Sequence, residues 1–535
     1  MPAQAALKTR GESKPAALYA KLEERIIARD QVGASEVYYE LLKRGRPQTE
    51  ILAEAVRIHA PYTHVPYHER IDEGFVNFVN NDHCLLSARA ALHLAKLMPD
   101  EAAGLPVAQT IWYIPTGLDI WNQKIYKAPG HYSRRGEKHT GPAPMPVVYW
   151  PDAEPQQLEG SLQERLGQWM TLVHRGQVMD AYRAFLGLMQ NPAERRAALA
   201  ELCFAGLIDV QDRSFLNRSY TTGHKAFRAR ATVELGDALG WENAHDVLYA
   251  GALDIAVGPR WYSTYEMAGN VITARIEQQP IMAIPYKGTT ERERALLANA
   301  EPLTAEEGEA FLDVVLNQPE PAYIDRLTEL LLAGKRLRDI VDAIQLGAAR
   351  VVLETTINTN FSLSQHCYEY CNTLGWFFDT FDHPQRVKLL YVVTSYLNQA
   401  ARHQRNMGDL KAPEFAAVAG ADRLSSAQLL DRIEAAVIAL DGPQGLGLTR
   451  AYCASGADRA PLVKRLALAA TRLGNDPHNQ EIAQCLLEDY GKNRGWDRDR
   501  LLYACVQHTA VHRKYGDPLD CARRFGVAMG VASLQ

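Results

Sequence analysis

Apolar residues in this chain recur three and four positions apart over most of its length. That period admits α-helix and excludes strand as the main element. Leu18, Leu22, Ile26 and Ile27 set the pattern in Ala16–Asp30, and Ile51–Ala60, Leu158–Val173, Pro192–Leu207, Thr304–Leu316 and Tyr323–Leu332 repeat it. No run of alternating β-branched residues closed by a hairpin turn is present. The pattern predicts an all-α protein of many medium-length helices. With 535 residues there is room for three domains or for one large helical body.

Composition narrows the class. The chain is 47% hydrophobic and 23% charged, which excludes a disordered chain and a collagen-like fibre. Its net charge is −5, with no Lys/Arg-rich run, so nucleic acid is not expected as a partner. No stretch approaches the about 18 consecutive apolar residues of a membrane span. The segment Met1–Lys14 lacks the apolar core of a secretory signal. Eight cysteines are sparse and form no metal-type Cys-x-x-Cys pair, Cys367 and Cys371 being the nearest two. Reduced thiols in a cytoplasmic protein are the expectation.

Five segments are expected: a disordered tail (1–15), N-terminal helices with a His-rich loop (16–104), an aromatic Pro/Gly-rich loop (105–157), and two helical halves (158–290 and 291–535). The loop holds Trp112, Tyr113, Trp121, Tyr126, Tyr132, Tyr149 and Trp150. Long loops are functional or disordered, and this aromatic density argues for a lid or wall. The alternative is an excursion that only covers helix ends. The second boundary is drawn from Pro280, Pro285, Gly288 and Pro302.

An internal repeat underlies the helices. "NNDHCLLSARAAL", "TTGHKAFRARATVEL", "SLSQHCYEYCNTL" and "NDPHNQEIAQCLL" each place a small polar residue shortly before His83, His224, His366 and His478. Such residues suit the N-cap, which puts each histidine in a first turn. Gly-Trp follows at Gly240-Trp241, Gly375-Trp376 and Gly495-Trp496, with Leu-Tyr beyond at Leu248-Tyr249, Leu390-Tyr391 and Leu502-Tyr503. The expected architecture is therefore a helical-hairpin repeat, closed as a toroid or open as a solenoid. Equivalent helix ends would share one rim and bring the histidines together. Helix dipoles keep such rings neutral, and a neutral imidazole is a metal ligand or a general base. Against this stands the plainer role of a first-turn ring bonded to nearby backbone.

Two further histidine groups stand out. His508 and His512 are four apart, so on a helix their rings share a face and suit one metal ion. No glutamate follows the first of them, which excludes a His-Glu-x-x-His peptidase. "IHAPYTHVPYHERID" carries His59, Tyr62, His64 and His68 in a proline-braced loop suited to substrate contact or, at His68, to metal ligation. His366 and Glu369 make a His-x-x-Glu pair, without the second motif of a di-iron bundle. No phosphate loop, dinucleotide fingerprint or Gly-x-Ser-x-Gly elbow occurs, so neither an NAD nor an FAD domain is expected.

The His-led helices at 75–98, 220–258 and 360–535, with "NNDHCLLSARAALHLAKLMP" and "TTGHKAFRARATVELGDALGW", resemble the questin oxidase-like family. The resemblance implies oxidative, Baeyer–Villiger-type ring opening of aromatic polyketides. It matches at His83, His224 and His366, and less closely at His478. The family's denser His-rich opening is not reproduced, and segment 105–155 has no counterpart in it.

The function expected is an enzyme acting on an aromatic or apolar small molecule, an oxygenase-type oxidoreductase dependent on a transition metal, iron or zinc. His83, His224 and His366 would be catalytic. His59, Tyr62, His64, Trp112 and Trp121 would bind substrate, and His68, His508 and His512 would bind metal. A lyase or hydrolase, metal-assisted or metal-free, fits the same residues. So does a helical-repeat scaffold that binds a protein partner, which would spread its histidines along an open groove. A homodimer is compatible with the size.

Overall fold

The computed structural model describes residues 15–62, 83–121, 152–210, 223–241, 244–256, 264–280, 289–356, 361–474, 476–514 and 516–535. Among them are 23 α-helices, and their only β-type pairings are two isolated bridges. Helix ends follow local chemistry. Ser161, Thr304 and Ser425 each form a reciprocal capping box, with Glu164, Glu307 and Gln428. Each box satisfies two otherwise orphaned backbone donors. The expected helices fall at Ala16–Ile27, Gln48–His59, Leu162–His174, Arg195–Leu207, Ala305–Asn317 and Ala322–Leu332. The eight cysteines are buried and form no disulfide. No helix among the described residues is long and apolar enough to cross a membrane.

The centre is built from four helices that begin near the repeated histidines: His83–Leu94, His224–Leu239, Phe361–Thr380 and Pro477–Lys492. We call them the His83, His224, His366 and His478 helices. The His83 helix packs on the His478 helix, that on the His366 helix, that on the His224 helix, and that again on the His83 helix, closing a cycle. A helix later in the chain packs on each: Leu105–Trp121, Ala244–Ala252, Arg386–Asn406 and Asp499–Val511 respectively. The two halves expected on either side of residue 290 both contribute helices to this ring.

The four helices run parallel and nearly in register, as their contacts demonstrate. The histidines meet at one level. Six or seven residues further on, about 9–10 Å at 1.5 Å per residue, Arg89 meets Cys485 and Arg230 meets Asn372. Ten residues beyond the histidines come His93, Glu234, Trp376 and Glu488. There Glu234 pairs with His93, and Arg230 reaches Glu234, Glu488 and the Trp376 ring. Contacts between equal offsets on neighbouring helices require parallel axes. The interior of the ring is thus polar, with charges paired inside it.

Three expectations are corrected. The segment from Leu105 is not all loop: Leu105–Trp121 is a helix. Its residues from Leu105 to Ile111 are all buried, so it shows no amphipathic stripe, and Pro106 sits in the first turn, where a missing N–H costs nothing. His59 is not in a loop either, but is the last residue of Gln48–His59. The Gly-Trp pairs are not equivalent. Gly240 caps its helix with φ 97°, and Trp241 folds back over Gly236. Gly375 and Trp376 lie within the His366 helix, and Trp496 packs on Gly308 of Ala305–Asn317. Only the first part of the repeat has a common structural meaning.

Candidate metal centre

Each histidine reaches the centre by a local device. Gly223, at φ 104°, precedes His224, and a side chain there would run into the Phe227 ring. Asp476 caps the His478 helix by accepting the His478 N–H at 3.0 Å, with Pro477 in the first turn. His83 is the first described residue of its helix. His366 departs from the expectation: its helix starts at Phe361, so the ring projects from the second turn. The helix is longer at its N-terminus than the cap pattern implied.

The four rings form one cluster, and none of these residues is more than 8% exposed. Centroid separations are 4.3 Å for His83–His478, 5.1 Å for His83–His224, 4.7 Å for His224–His366 and 5.2 Å for His366–His478. The Nε2 atoms of His224 and His366 are 3.0 Å apart, and those of His366 and His478 are 3.4 Å apart. Phe227 lies 6.3 Å from His366 with nearly parallel planes, giving the cluster an apolar side.

Carboxylates stand behind the rings. Glu481, fully buried, meets His83 Nδ1 at 2.9 Å, and Asp476 meets His478 Nδ1 at 2.7 Å. Three sets bring ligand atoms within 4.8 Å of one another: His83, His224 and His366; His83, His478 and Glu481; Asp476, His478 and His512. These buried His and acid groups could hold a metal ion. Neither Glu481 nor Asp476 is marked as a site residue by the sequence pattern. Glu481 repeats, three residues after His478, the His-x-x-Glu spacing noted at His366 and Glu369, and that recurrence was the available signal.

His508 and His512 sit at the edge of the cluster, but not as the chelating pair expected. Their rings are stacked, 4.8 Å apart and 11° from parallel. A metal bonds an imidazole nitrogen along the ring plane, so two stacked planes do not converge on one ion. His512 ends the helix with extended backbone and turns its Nε2 to 3.8 Å from Asp476 Oδ1. His508 Nε2 lies 3.4 Å from Gln365 Oε1. Burial pushes His508 well below the usual imidazole range, and pushes His512 down to about 4 against the pull of Asp476. Both rings are neutral at pH 7. Burial also brings Lys514 down to about 7; its Nζ donates to the carbonyls of Thr509 and His512 and closes that helix end.

The expected substrate contacts fare differently. Trp112 is partly buried beside the C-terminal helix Asp520–Met529, with the Arg524 guanidinium 5.8 Å from its ring centre. That neighbour, and not the histidine cluster, occupies its face. Tyr62 is buried in the turn Ala60–Tyr62 against Ala244–Ala252, and burial lifts its phenol to about 12. His59 is fully buried and is not among the convergent ligand groups. His64, His68 and the side chain of Trp121 lie outside the described residues, as does 122–151 of the aromatic segment. A cavity of about 440 Å³ lies at the far end of the His224 helix, between Glu50, Glu54, Arg57 and Leu239. It contains none of the clustered histidines.

Comparison with known proteins adds no assignment: no family model, no curated protein and no solved structure matches the chain.

Proposed function

We propose that the chain is a metal-dependent enzyme of the oxygenase type, acting on an aromatic or otherwise apolar small molecule at the four-histidine cluster of a helical toroid. One observation carries this. The ligand atoms of His83, His224 and His366 lie within 4.8 Å of one another, and the His224–His366 Nε2 separation of 3.0 Å matches the edge of a coordination polyhedron. Ligands bonded at about 2.0–2.1 Å stand about 2.9–3.4 Å apart in octahedral or tetrahedral geometry. Where the ring protons sit on Nδ1, as the carboxylates behind His83 and His478 favour, the Nε2 lone pairs are free to bind a cation. The donor set, imidazole with a carboxylate, suits iron or zinc.

A metal held there supplies Lewis acidity and, if iron, a place for dioxygen to react. Around it, Glu481 holds the Nδ1 proton of His83, and Phe227 offers a flat apolar face to a substrate ring. Burial of the cluster keeps bulk water away. Convergence on one buried point favours an enzyme over the groove-lined scaffold. Oxygen chemistry is preferred to a lyase or hydrolase reaction on the resemblance to the questin oxidase-like family, which also suggests aromatic polyketides as substrates.

Elemental analysis of the protein reconstituted with Fe(II) or Zn(II) tests this. About one metal per chain is expected, with His366→Ala losing most of it because that ring stands between two others. Oxygen uptake with hydroxylated polycyclic aromatics follows for the iron form. Absence of metal after reconstitution, or full retention by His366→Ala, would overturn the proposal.

A further inference from the structure

The carboxylate of Asp476 lies between His478 and His512. Its Oδ1 accepts the backbone N–H of His478 at 3.0 Å, lies 2.7 Å from Nδ1 of the same residue, and lies 3.8 Å from His512 Nε2. His512 stacks on His508, and His508 reaches Gln365, next to His366. These residues form an outer arc that leaves the ring at His478 and returns beside His366. Asp476 is 2% exposed, His508 is fully buried and His512 is 8% exposed, so water does not compete for the contacts.

The geometry points to Asp476 as a positioning residue, one that fixes the His478 imidazole with its proton on Nδ1 and its Nε2 lone pair turned toward the centre. This rests on reading the cluster as a metal centre. The physical argument is short. A carboxylate only accepts, so the group facing it must be N–H. The neutral ring has one N–H, and placing it on Nδ1 leaves Nε2 bare, 3.4 Å from His366 Nε2. Both ends of the aspartate's role come from one oxygen: the bond to the backbone sets the start of the helix, and the bond to the ring sets the ring's plane. His512 Nε2 approaches the same oxygen at 3.8 Å. Partners of this kind typically set metal affinity by ten- to a hundredfold.

Two variants separate positioning from helix capping. Serine caps a helix about as well as aspartate but is too short to reach the ring. Asparagine caps and still offers an oxygen to Nδ1–H. In the full-length chain, Zn(II) affinity measured by chelator competition is expected to fall about ten- to a hundredfold in Asp476→Ser and less in Asp476→Asn, with melting temperatures of the metal-free proteins close to wild type. Independently of metal, ¹⁵N spectra of histidine-labelled, metal-free wild type, assigned with His478→Gln, are expected to give the His478 proton on Nδ1. A proton on Nε2, or a serine variant that binds Zn(II) as tightly as wild type, would overturn the inference. Failure of wild type to bind Zn(II) would instead defeat the metal reading, and the spectra would still decide the tautomer.

Discussion

Arg230 is the most exacting test of the ring, because its guanidinium is 1% exposed and holds four partners from three helices. Asn372 Oδ1 lies at 2.6 Å, Glu488 Oε2 at 2.7 Å and Glu234 Oε2 at 3.3 Å, with the Trp376 ring centre at 5.0 Å. Arg230→Met keeps most of the volume and removes the charge. Burial alone would raise both glutamates; Arg230, the largest opposing charge, acts with Arg89 on both, with His93 on Glu234 and with Lys492 on Glu488 to hold them below the usual carboxyl range. Removing one partner of a buried pair costs about 3–5 kcal/mol, because the other charge stays buried. Glu234 keeps Arg89 and Glu488 keeps Lys492, so the lower end, about 3 kcal/mol, is expected. With an unfolding entropy near 2.1 cal/mol/K per residue, cooperative melting of the whole chain converts this to a drop of about 3 °C. The pH dependence has a definite sign. Carboxyls depressed by the fold contribute stability above their unfolded value, and lose it as pH falls through the folded one. The gap between variant and wild type should therefore be widest near pH 7 and should close from about pH 5 downward. Urea denaturation at pH 7 and pH 4 measures it. A loss below about 1 kcal/mol, or a gap equal at both pH values, would mean that Arg230 acts only by packing on Trp376.

Asp489 behaves in the opposite sense. Burial, with Glu488 beside it, raises its carboxyl to about 7, although Tyr368 and Asn372 donate to it at 2.7 and 2.8 Å. A raised acid contributes fully below its unfolded value and loses that contribution as pH rises toward the folded one. Stability should fall between pH 4 and 7 by up to about 1.4 kcal/mol per unit from this group, and Asp489→Asn should flatten that slope in urea titrations; parallel slopes would refute it. At Gly251, a Cβ would lie 1.4 Å from Thr232 Oγ1 and 3.2 Å from the Arg228 carbonyl. Gly251→Ala should push Ala244–Ala252 off the His224 helix at a cost of about 1–3 kcal/mol, and an unchanged melting temperature would show that the contact yields freely.

Much of this centre is legible in the sequence, and the reason is periodicity. A histidine near a helix start, recurring in four helices, survives as a pattern because all four helices need the same end at the same level. The residues six and ten positions later, Arg89, Arg230, Glu234 and Glu488, carry the same register, but their types differ and hide it. Asp476 is visible in the sequence only as one of the small polar residues of the cap pattern, since one-dimensional spacing does not distinguish an oxygen bonded to backbone from one bonded to backbone and ring together. His508 and His512 illustrate the reverse failure. Their spacing was right for a shared helix face, but the helix stops at Val511 and the rings stack. Trp112 was assigned by composition. Its helix is buried on nearly all sides, so no stripe announced that it was a helix.

The parallel arrangement also explains why acids accompany these histidines. Each helix start carries about half a positive charge, so the starts of the His83, His224 and His478 helices direct about +1.5 toward the cluster, and the His366 helix adds to this from one turn further back. That field disfavours added positive charge and, taken alone, would also repel a cation at the proposed centre. Asp476 and Glu481, both buried against ring nitrogens, supply about −2 when ionised. The two contributions nearly cancel. One layer below, Arg89 and Arg230 are matched by Glu234 and Glu488, so no net charge leaks upward from that level. A divalent cation at the proposed centre would then meet the ring nitrogens in a nearly balanced field. Removing either acid would tip the balance toward the dipoles, and affinity for the cation would fall even where the four rings keep their places.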